Sequence, residues 1–359
     1  QSGARLNLTA GLQLQNGSLV RGNGSGAPYV LLGSPSSIFQ FDSRGLVPRL
    51  VNGDRLPDGA TFYGVGSRFE NAAGDLYFDS LGNSNRVLTA DRLDNLVLGN
   101  FRADDGVLVN RGLVLALNDR GGMVWQAGTD RSHNRVYLAE NNRRTLLFFY
   151  GAETRWQTPS PAGGTINNRN DVVLDDNGRV LAVLRVVGGP AGVFLWENDR
   201  WRATALFNTT AIRGQIITNA TNLIALADRF YAVLSLRAGG SALAELRDGA
   251  WTWIAGNQDP APHGNVINNI GAYDVNRRGD LAMTINGGQL LVFRSGGEDR
   301  LVHFNVEAPD GADFFSVDAV ELREDGKIYF SGVNILDQYV LYLAEPLLTH
   351  WPSRSRQKK

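Results

Sequence analysis

Asparagine side chains are the clearest candidates for ligand contacts, because they recur in short runs at 167–170, 219–222 and 268–269. An amide offers an acceptor oxygen and two N–H donors, so asparagines around the mouth of a channel can hold a polar ligand or, through their oxygens, an ion. Asparagine also suits tight bends, where it bonds its own backbone, and that structural role stays open. In and beside these runs we predict four ligand contacts: Asn168, Arg169, Asn222 and Asn268.

Two of the four histidines lie in polar loops. His133 belongs to the segment GTDRSHNR together with Asp130 and Arg131, and His263 belongs to the loop APHG. Neither takes part in an H-x-x-x-H or H-E-x-x-H spacing, so the pattern does not indicate a metal pair. We predict Asp130, Arg131, His133 and His263 as contacts on one ligand-binding face, with an ordinary surface-loop role as the alternative.

Trp156 is the tryptophan that we predict to be exposed, because it lies in the irregular segment ETRWQTPSPAGG. An exposed indole can stack on a sugar or a peptide. Four other tryptophans fall in regular apolar runs, where packing between sheets is the expected role: Trp196, Trp201, Trp251 and Trp253.

Several kinds of chemistry are excluded by the residues themselves. The chain has no cysteine, which excludes disulfides, thiolate metal sites and cysteine nucleophiles. It has no G-x-S-x-G or G-x-x-x-x-G-K-[ST] motif, and the turn D-D-N-G at 175–178 does not match a calcium-binding loop. We therefore predict no catalytic residue, no metal ligand and no cofactor.

Two series of turns recur along the chain and would position these residues. One is a polar turn that ends in glycine before a strand, and its copies end at Gly17, Gly74, Gly121, Gly178, Gly279 and Gly326, with a copy lacking the glycine near Asp228. The other resembles x-Pro-x-Gly, with copies at Gly59, Gly106, Gly163, Gly214, Gly264 and Gly311. Both series repeat at roughly fifty residues, which is typical of a unit of four short strands.

A repeat of this length with four antiparallel strands predicts an all-β chain with a β-propeller fold. The copies define seven blades, the last incomplete, and six blades are the alternative because the first unit is irregular around residues 22–35. We predict a single domain over residues 1–350, in which an N-terminal strand at Ala4–Thr9 completes the last blade. Residues 351–359, which end in the sequence SRSRQKK, are predicted to be a disordered basic tail.

The charge balance argues against nucleic acid as a partner, since 35 basic and 36 acidic residues leave a net charge of −1. No apolar run approaches the roughly 18 residues of a membrane span. The first residues, QSGARLNLT, do not form a signal segment, so we predict either a cytosolic protein or one whose signal has been removed.

The repeated motifs also support a resemblance. The pattern N-x-x-G-x-x-x-F/W, then F-L-W, then V-x-x-G-x-x-x-P-x-G, resembles tandem-repeat propellers of secreted or envelope-anchored bacterial proteins, and ELREDGKIYF resembles NHL-type repeats and gluconolactonase-like propellers. This resemblance implies a secreted, periplasmic or envelope location. We predict a non-catalytic propeller that presents a loop face to a protein, peptide or glycan. The alternative is a metal-dependent lactonase or lyase with one divalent cation on the central axis.

Overall fold

The structure is a computed structural model with thirty strands in its described residues. It describes residues 7–13, 17–19, 28–32, 36–42, 45–70, 74–80, 84–89, 92–96, 101–129, 133–140, 143–151, 157–261, 266–287, 289–294, 298–302, 314–334 and 339–345. No helix in these residues has the length and apolarity needed to cross a membrane.

In chain order the strands are β1 (Asn7–Gln13), β2 (Gly17–Leu19), β3 (Tyr29–Leu32), β4 (Ser37–Asp42), β5 (Gly45–Leu50), β6 (Val65–Glu70), β7 (Leu76–Ser80), β8 (Ser84–Leu88), β9 (Leu93–Leu96), β10 (Phe101–Arg102), β11 (Leu108–Leu117), β12 (Met123–Thr129), β13 (His133–Glu140), β14 (Arg143–Gly151), β15 (Thr165–Leu174), β16 (Val180–Val187), β17 (Gly192–Glu197), β18 (Arg200–Leu206), β19 (Ala211–Ile212), β20 (Gln215–Leu226), β21 (Arg229–Leu236), β22 (Ser241–Arg247), β23 (Ala250–Gly256), β24 (Ile270–Val275), β25 (Leu281–Ile285), β26 (Gln289–Arg294), β27 (Glu298–Val302), β28 (Phe314–Leu322), β29 (Ile328–Asn334) and β30 (Tyr339–Glu345).

The described strands form seven antiparallel sheets, which we call blades 1 to 7. Blades 1 to 6 each follow the chain order: β2–β5, β6–β9, β10–β14, β15–β18, β19–β23 and β24–β27. Blade 7 combines β28, β29 and β30 with β1 from the other end of the chain. β1 pairs with β30 from Asn7 opposite Glu345 to Gln13 opposite Val340. β1 overlaps the stretch Ala4–Thr9 in which the sequence predicts a strand, and residues 4–6 lie outside the described residues.

The middle strands are continuous apolar runs because both faces of each blade are covered by its neighbours. In β16, for example, Val180, Leu181, Ala182, Val183 and Leu184 are all fully buried. The hairpin before this strand closes at Gly178, whose φ of 76° is a conformation that glycine adopts at no steric cost.

Apolar clusters join the blades into a ring. They lie between blades 1 and 2, 3 and 4, 4 and 5, 5 and 6, and 6 and 7, while β11 of blade 3 packs on β6, β7 and β8 of blade 2. A further cluster, between blades 7 and 1, closes the ring. In it Val30 and Phe41 of blade 1 pack with Tyr329, Leu341 and Leu343 of blade 7. The protein is thus an all-β propeller, as its repeats predict.

Two ends of the propeller are distinguished below. The loop face is the end where each blade connects to the innermost strand of the next blade. The turn face is the opposite end, where a hairpin joins the first and second long strands of a blade. The described x-Pro-x-Gly copies at Gly59, Gly106, Gly163 and Gly214 lie on the loop face. The polar turns at Gly74, Gly121, Gly178, Gly279 and Gly326 lie on the turn face, whereas Gly17 begins β2, the innermost strand of blade 1, and is on the loop face.

Candidate functional site

The x-Pro-x-Gly motif forms a small hairpin ahead of the innermost strand in blades 2 to 6. The hairpins are the bridges Arg55 to Thr61, Pro159 to Thr165 and Pro260 to Val266, together with the pairs β10–β11 and β19–β20. The third residue after the glycine of each motif anchors its hairpin in the core. None of these side chains is more than 2% exposed: Phe62, Val109, Ile166, Ile217 and Ile267. The motif therefore builds a rigid rim of hairpins around the loop face.

The innermost strands of blades 2 to 7 all contain β-bulges. The pairing shifts between Ile166 and Asn168 in β15, for example, and again between Arg169 and Asp171. Equivalent shifts occur in β6, β11, β20, β24 and β28. A bulge re-aims side chains that would otherwise alternate between the two sides of a strand. In β20 it leaves both Thr221 and Asn222 exposed, with Asn222 in the left-handed region at a φ of 52°.

Exposed amides recur on or just before the innermost strands of three adjacent blades. They are Asn168 and Asn170 of blade 4, Asn222 of blade 5, and Asn268 and Asn269 just before β24 of blade 6. The next strand of each blade covers the outer edge of its innermost strand, so exposed side chains here face the axial channel or its rim. Among the described residues, the side-chain amides of Asn170, Asn222 and Asn269 have no hydrogen-bond partner. We call this set of five asparagines the amide mouth.

Asn286 holds one side of the amide mouth in place. Its Oδ1 accepts hydrogen bonds from the backbone N–H groups of Asn268 at 2.8 Å and Asn269 at 3.4 Å. Its Nδ2 donates to the carbonyl oxygen of Val266 at 2.7 Å, and Ser241 Oγ accepts from the N–H of Ile270 at 2.7 Å. The blade 6 segment is therefore ordered before any ligand arrives, which reduces the entropy lost on binding.

Charged side chains meet across the axis at the turn face. Arg277 of blade 6 hydrogen-bonds Asp119 of blade 3, and its Nη2 lies 3.6 Å from Asp176 Oδ2 of blade 4. Its backbone N–H donates to Glu324 Oε1 of blade 7 at 2.8 Å. The hydrogen bond to Asp119 raises the pKa of Arg277. Since blades 3 and 6 lie on opposite sides of the ring, this ion pair spans the axis at the end opposite to the amide mouth.

His133 is placed differently from an open ligand contact, because only 2% of it is exposed. Its Nδ1 lies 3.1 Å from Thr129 Oγ1, and its Nε2 accepts a hydrogen bond from Arg135 Nε at 3.2 Å. Arg135 in turn pairs with Asp105 in the loop-face hairpin, and that hydrogen bond lowers the pKa of Asp105. His133 thus supports the hairpin from below.

Arg169 points between blades 3 and 4. Its Nε donates to Gln126 Oε1 at 3.1 Å, and the same oxygen accepts from the Tyr150 hydroxyl at 2.7 Å. Burial lowers the pKa of this guanidinium. Of the predicted contacts, Asn168, Asn222 and Asn268 are exposed on or just before the innermost strands of blades 4, 5 and 6. Asp130, Arg131, Trp156 and His263 lie outside the described residues.

No group of three or more histidine, aspartate or glutamate side chains suited to a metal ion occurs in the described residues. The side chains at the amide mouth that could contact a ligand are neutral amides. They suit hydrogen bonding to a polar ligand better than tight binding of a divalent cation, for which carboxylates are the stronger ligands.

Comparison with known proteins identifies no family. No protein-family model matches the chain, and no curated protein matches it. Among solved structures, the WD40 propeller domain of Doa1 is 11% identical, with 95% of this chain and 97% of that chain covered and a TM-score of 0.49. YCF48 from Cyanidioschyzon merolae is 12% identical, with 94% and 99% covered and a TM-score of 0.49. The extracellular domain of BT4673 from B. thetaiotaomicron is 13% identical with a TM-score of 0.47; 93% of this chain is covered, but it spans only 39% of that chain.

Proposed function

We propose that this protein is a non-catalytic binding propeller that holds a peptide or a protein segment at the amide mouth of its loop face. One observation carries the proposal: the loop face, from which the inner strands that carry the unpartnered amides start, holds four of the five exposed large apolar side chains in the described residues. These are Val51, Tyr63, Val187 and Val266, which are 38%, 57%, 50% and 39% exposed. Exposed apolar groups gathered on one face are typical of interaction surfaces.

The chemistry of the mouth favours a peptide. A peptide backbone presents N–H donors and carbonyl acceptors in alternation, and each amide side chain can pair with either. The surrounding valines and Tyr63 would contact the ligand's side chains. Exposed apolar groups of this kind add affinity to backbone hydrogen bonds, which by themselves recognise any sequence.

Three described carboxylates of the loop-face hairpins support a binding role because each is paired with an arginine. Asp58 pairs with Arg86 at 2.8 Å, Asp105 pairs with Arg135, and Asp259 pairs with Arg213 at 3.1 Å. Such pairs stiffen the rim, whereas a general acid or base needs a carboxyl group that faces the substrate. A secreted, periplasmic or envelope location belongs to the same proposal and follows from the repeat motifs.

Selection from a library of random peptides displayed on phage tests this function. We expect the wild-type protein to enrich a family of related peptides. Their affinity, measured by fluorescence anisotropy, should fall about tenfold or more in a variant that combines Asn170→Ala, Asn222→Gly and Asn269→Ala, because each lost hydrogen bond contributes about 1 kcal/mol. Glycine at 222 keeps the positive φ of that residue.

Asn177→Ala, an exposed substitution on the turn face, is the matched control and should leave the affinity unchanged. Enriched peptides that bind the triple variant as tightly as the wild type would contradict the proposed site. A stoichiometric divalent ion in the purified protein, together with hydrolysis of a lactone, would favour the metal-dependent enzyme instead.

A further inference from the structure

A second concave site lies on the turn face between blades 3 and 4, and we call it the 3–4 groove. It has a volume of about 610 Å³, within the range of pockets for small ligands. Its walls come from the β13–β14 hairpin, the inner turn of blade 4 and the β17–β18 hairpin. The residues used below are Glu140, Arg143, Asn177, Gly178, Trp196 and Asp199.

The aromatic wall of the groove is fixed in position. Trp196 packs edge-to-face on Trp201, with ring centroids 5.5 Å apart and an interplanar angle of 61°. Trp201 is itself held by a hydrogen bond from its Nε1 to the carbonyl oxygen of Leu147 at 3.0 Å. Trp196 is only partly buried and lines the groove, and its indole N–H has no acceptor in the part of the chain that the structure describes. The groove therefore offers a rigid, partly exposed indole.

Groups of both charges remain unpaired in the groove. Glu140, Arg143 and Asp199 form no ion pair or side-chain hydrogen bond with any described residue, and neither does the side-chain amide of Asn177. The two other charged groups of the wall are already neutralised. Glu197 pairs with Arg202, and Arg179 bonds Asp175 at 2.7 Å.

Gly178 allows the Glu140 carboxylate to lie against the blade 4 turn. A Cβ atom at this position would come within 2.4 Å of Glu140 Oε2, and the φ of 76° also disfavours other residues. This wall of the groove is therefore formed by the backbone at Gly178 and by the carboxylate of Glu140, whose oxygens can still accept hydrogen bonds.

We propose that the 3–4 groove binds a neutral saccharide. An anion would meet Glu140 and Asp199, whereas a cation would meet Arg143. A neutral polyol avoids both repulsions, because each hydroxyl group donates to a carboxylate and accepts from a guanidinium or an amide. The less polar face of a sugar ring would contact Trp196. This site is on the opposite face from the amide mouth and does not rest on the function proposed there.

Fluorine NMR of protein labelled with 5-fluorotryptophan tests the proposal, with Trp196→Phe assigning the resonance. The probes are neutral oligosaccharides of glucose, galactose, mannose and N-acetylglucosamine. We expect at least one of them to shift the Trp196 resonance in a saturable way. The combination of Glu140→Gln and Asp199→Asn should weaken this binding about tenfold, because two charge-assisted hydrogen bonds become neutral ones. Asn177→Arg should abolish it by filling the groove.

The loop-face triple variant is the control and should bind the saccharide as the wild type does, which separates this proposal from the first. Circular dichroism spectra that match the wild type would establish that the groove variants are folded. The proposal is overturned if no neutral oligosaccharide shifts the Trp196 resonance. It is equally overturned if the Glu140 and Asp199 substitutions leave the affinity unchanged, or if only charged ligands bind.

Discussion

Removal of residues 1–13 is expected to lower the melting temperature by on the order of 10 °C, because blade 7 then loses its outer strand. β1 is a seven-residue strand paired with β30. A ladder of this length has about six backbone hydrogen bonds, each with a net contribution of about 1 kcal/mol. The shortened protein also exposes the edge of β30, so its scattering should increase with concentration as exposed strand edges pair. Differential scanning calorimetry and light scattering measure the two effects.

A synthetic peptide of residues 1–15 provides the control for this deletion. Added to the shortened protein, it should raise the melting temperature toward the wild-type value, whereas a peptide of the same composition in scrambled order should not. An unchanged melting temperature after deletion would contradict closure of the ring by β1.

Asp175→Ala is expected to destabilise the protein by about 3 kcal/mol, whereas Asp175→Asn should cost less than about 1 kcal/mol. Asp175 is buried, and its Oδ1 accepts from the N–H groups of Asn177 at 3.0 Å and Arg179 at 2.7 Å. Asparagine does the same work in two other blades. Oδ1 of Asn118 and Oδ1 of Asn276 each accept from the N–H groups two and four residues later. Urea unfolding of the two variants measures the difference.

The pH dependence of Asp175 gives the same comparison a second readout. Burial raises the pKa of this carboxyl despite its hydrogen bonds to Arg179 and the backbone. The folded protein therefore binds the proton more tightly than the unfolded chain does. Relative to Asp175→Asn, the wild type should lose stability as the pH rises from the ordinary aspartate pKa, about 4, through the raised one, and should then stay level. Equal damage from alanine and asparagine would contradict the assigned role.

The fold could be predicted from the sequence because each blade repeats the same local chemistry. A glycine such as Gly178 closes most of the polar turns, and an apolar residue such as Ile166 anchors each loop-face hairpin of blades 2 to 6, so the period is visible without an alignment. The strand that pairs with β30 in blade 7 shares residues 7–9 with the predicted stretch Ala4–Thr9. Its bounds depend on pairing with β30, more than three hundred residues away, and local patterns do not report such pairing.

The candidate site could be predicted only in part. The asparagine runs contain all five residues of the amide mouth, but Asn170 and Asn269 were not among the predicted contacts, because bulges in the inner strands decide which side chains are exposed. Arg169 and His133 illustrate the converse. Both occur in polar segments. Arg169, however, lies between two blades, where it bonds Gln126, which also bonds Tyr150. His133 is buried between Thr129 and Arg135. The 3–4 groove was not predicted, because Trp196 lies in an apolar run and was assigned to packing between sheets. Trp196 does pack on Trp201, but it also lines the groove.

Methyl NMR of valine- and leucine-labelled protein tests most directly whether the loop face is the binding surface. Val51, Val187 and Val266 report on the loop face, and Leu138 reports on the 3–4 groove. Titration with a peptide enriched from the phage library should shift the methyl resonances of those three valines and leave those of Leu138 unchanged. Shifts at Leu138 with unmoved valines would contradict binding of the peptide at the loop face.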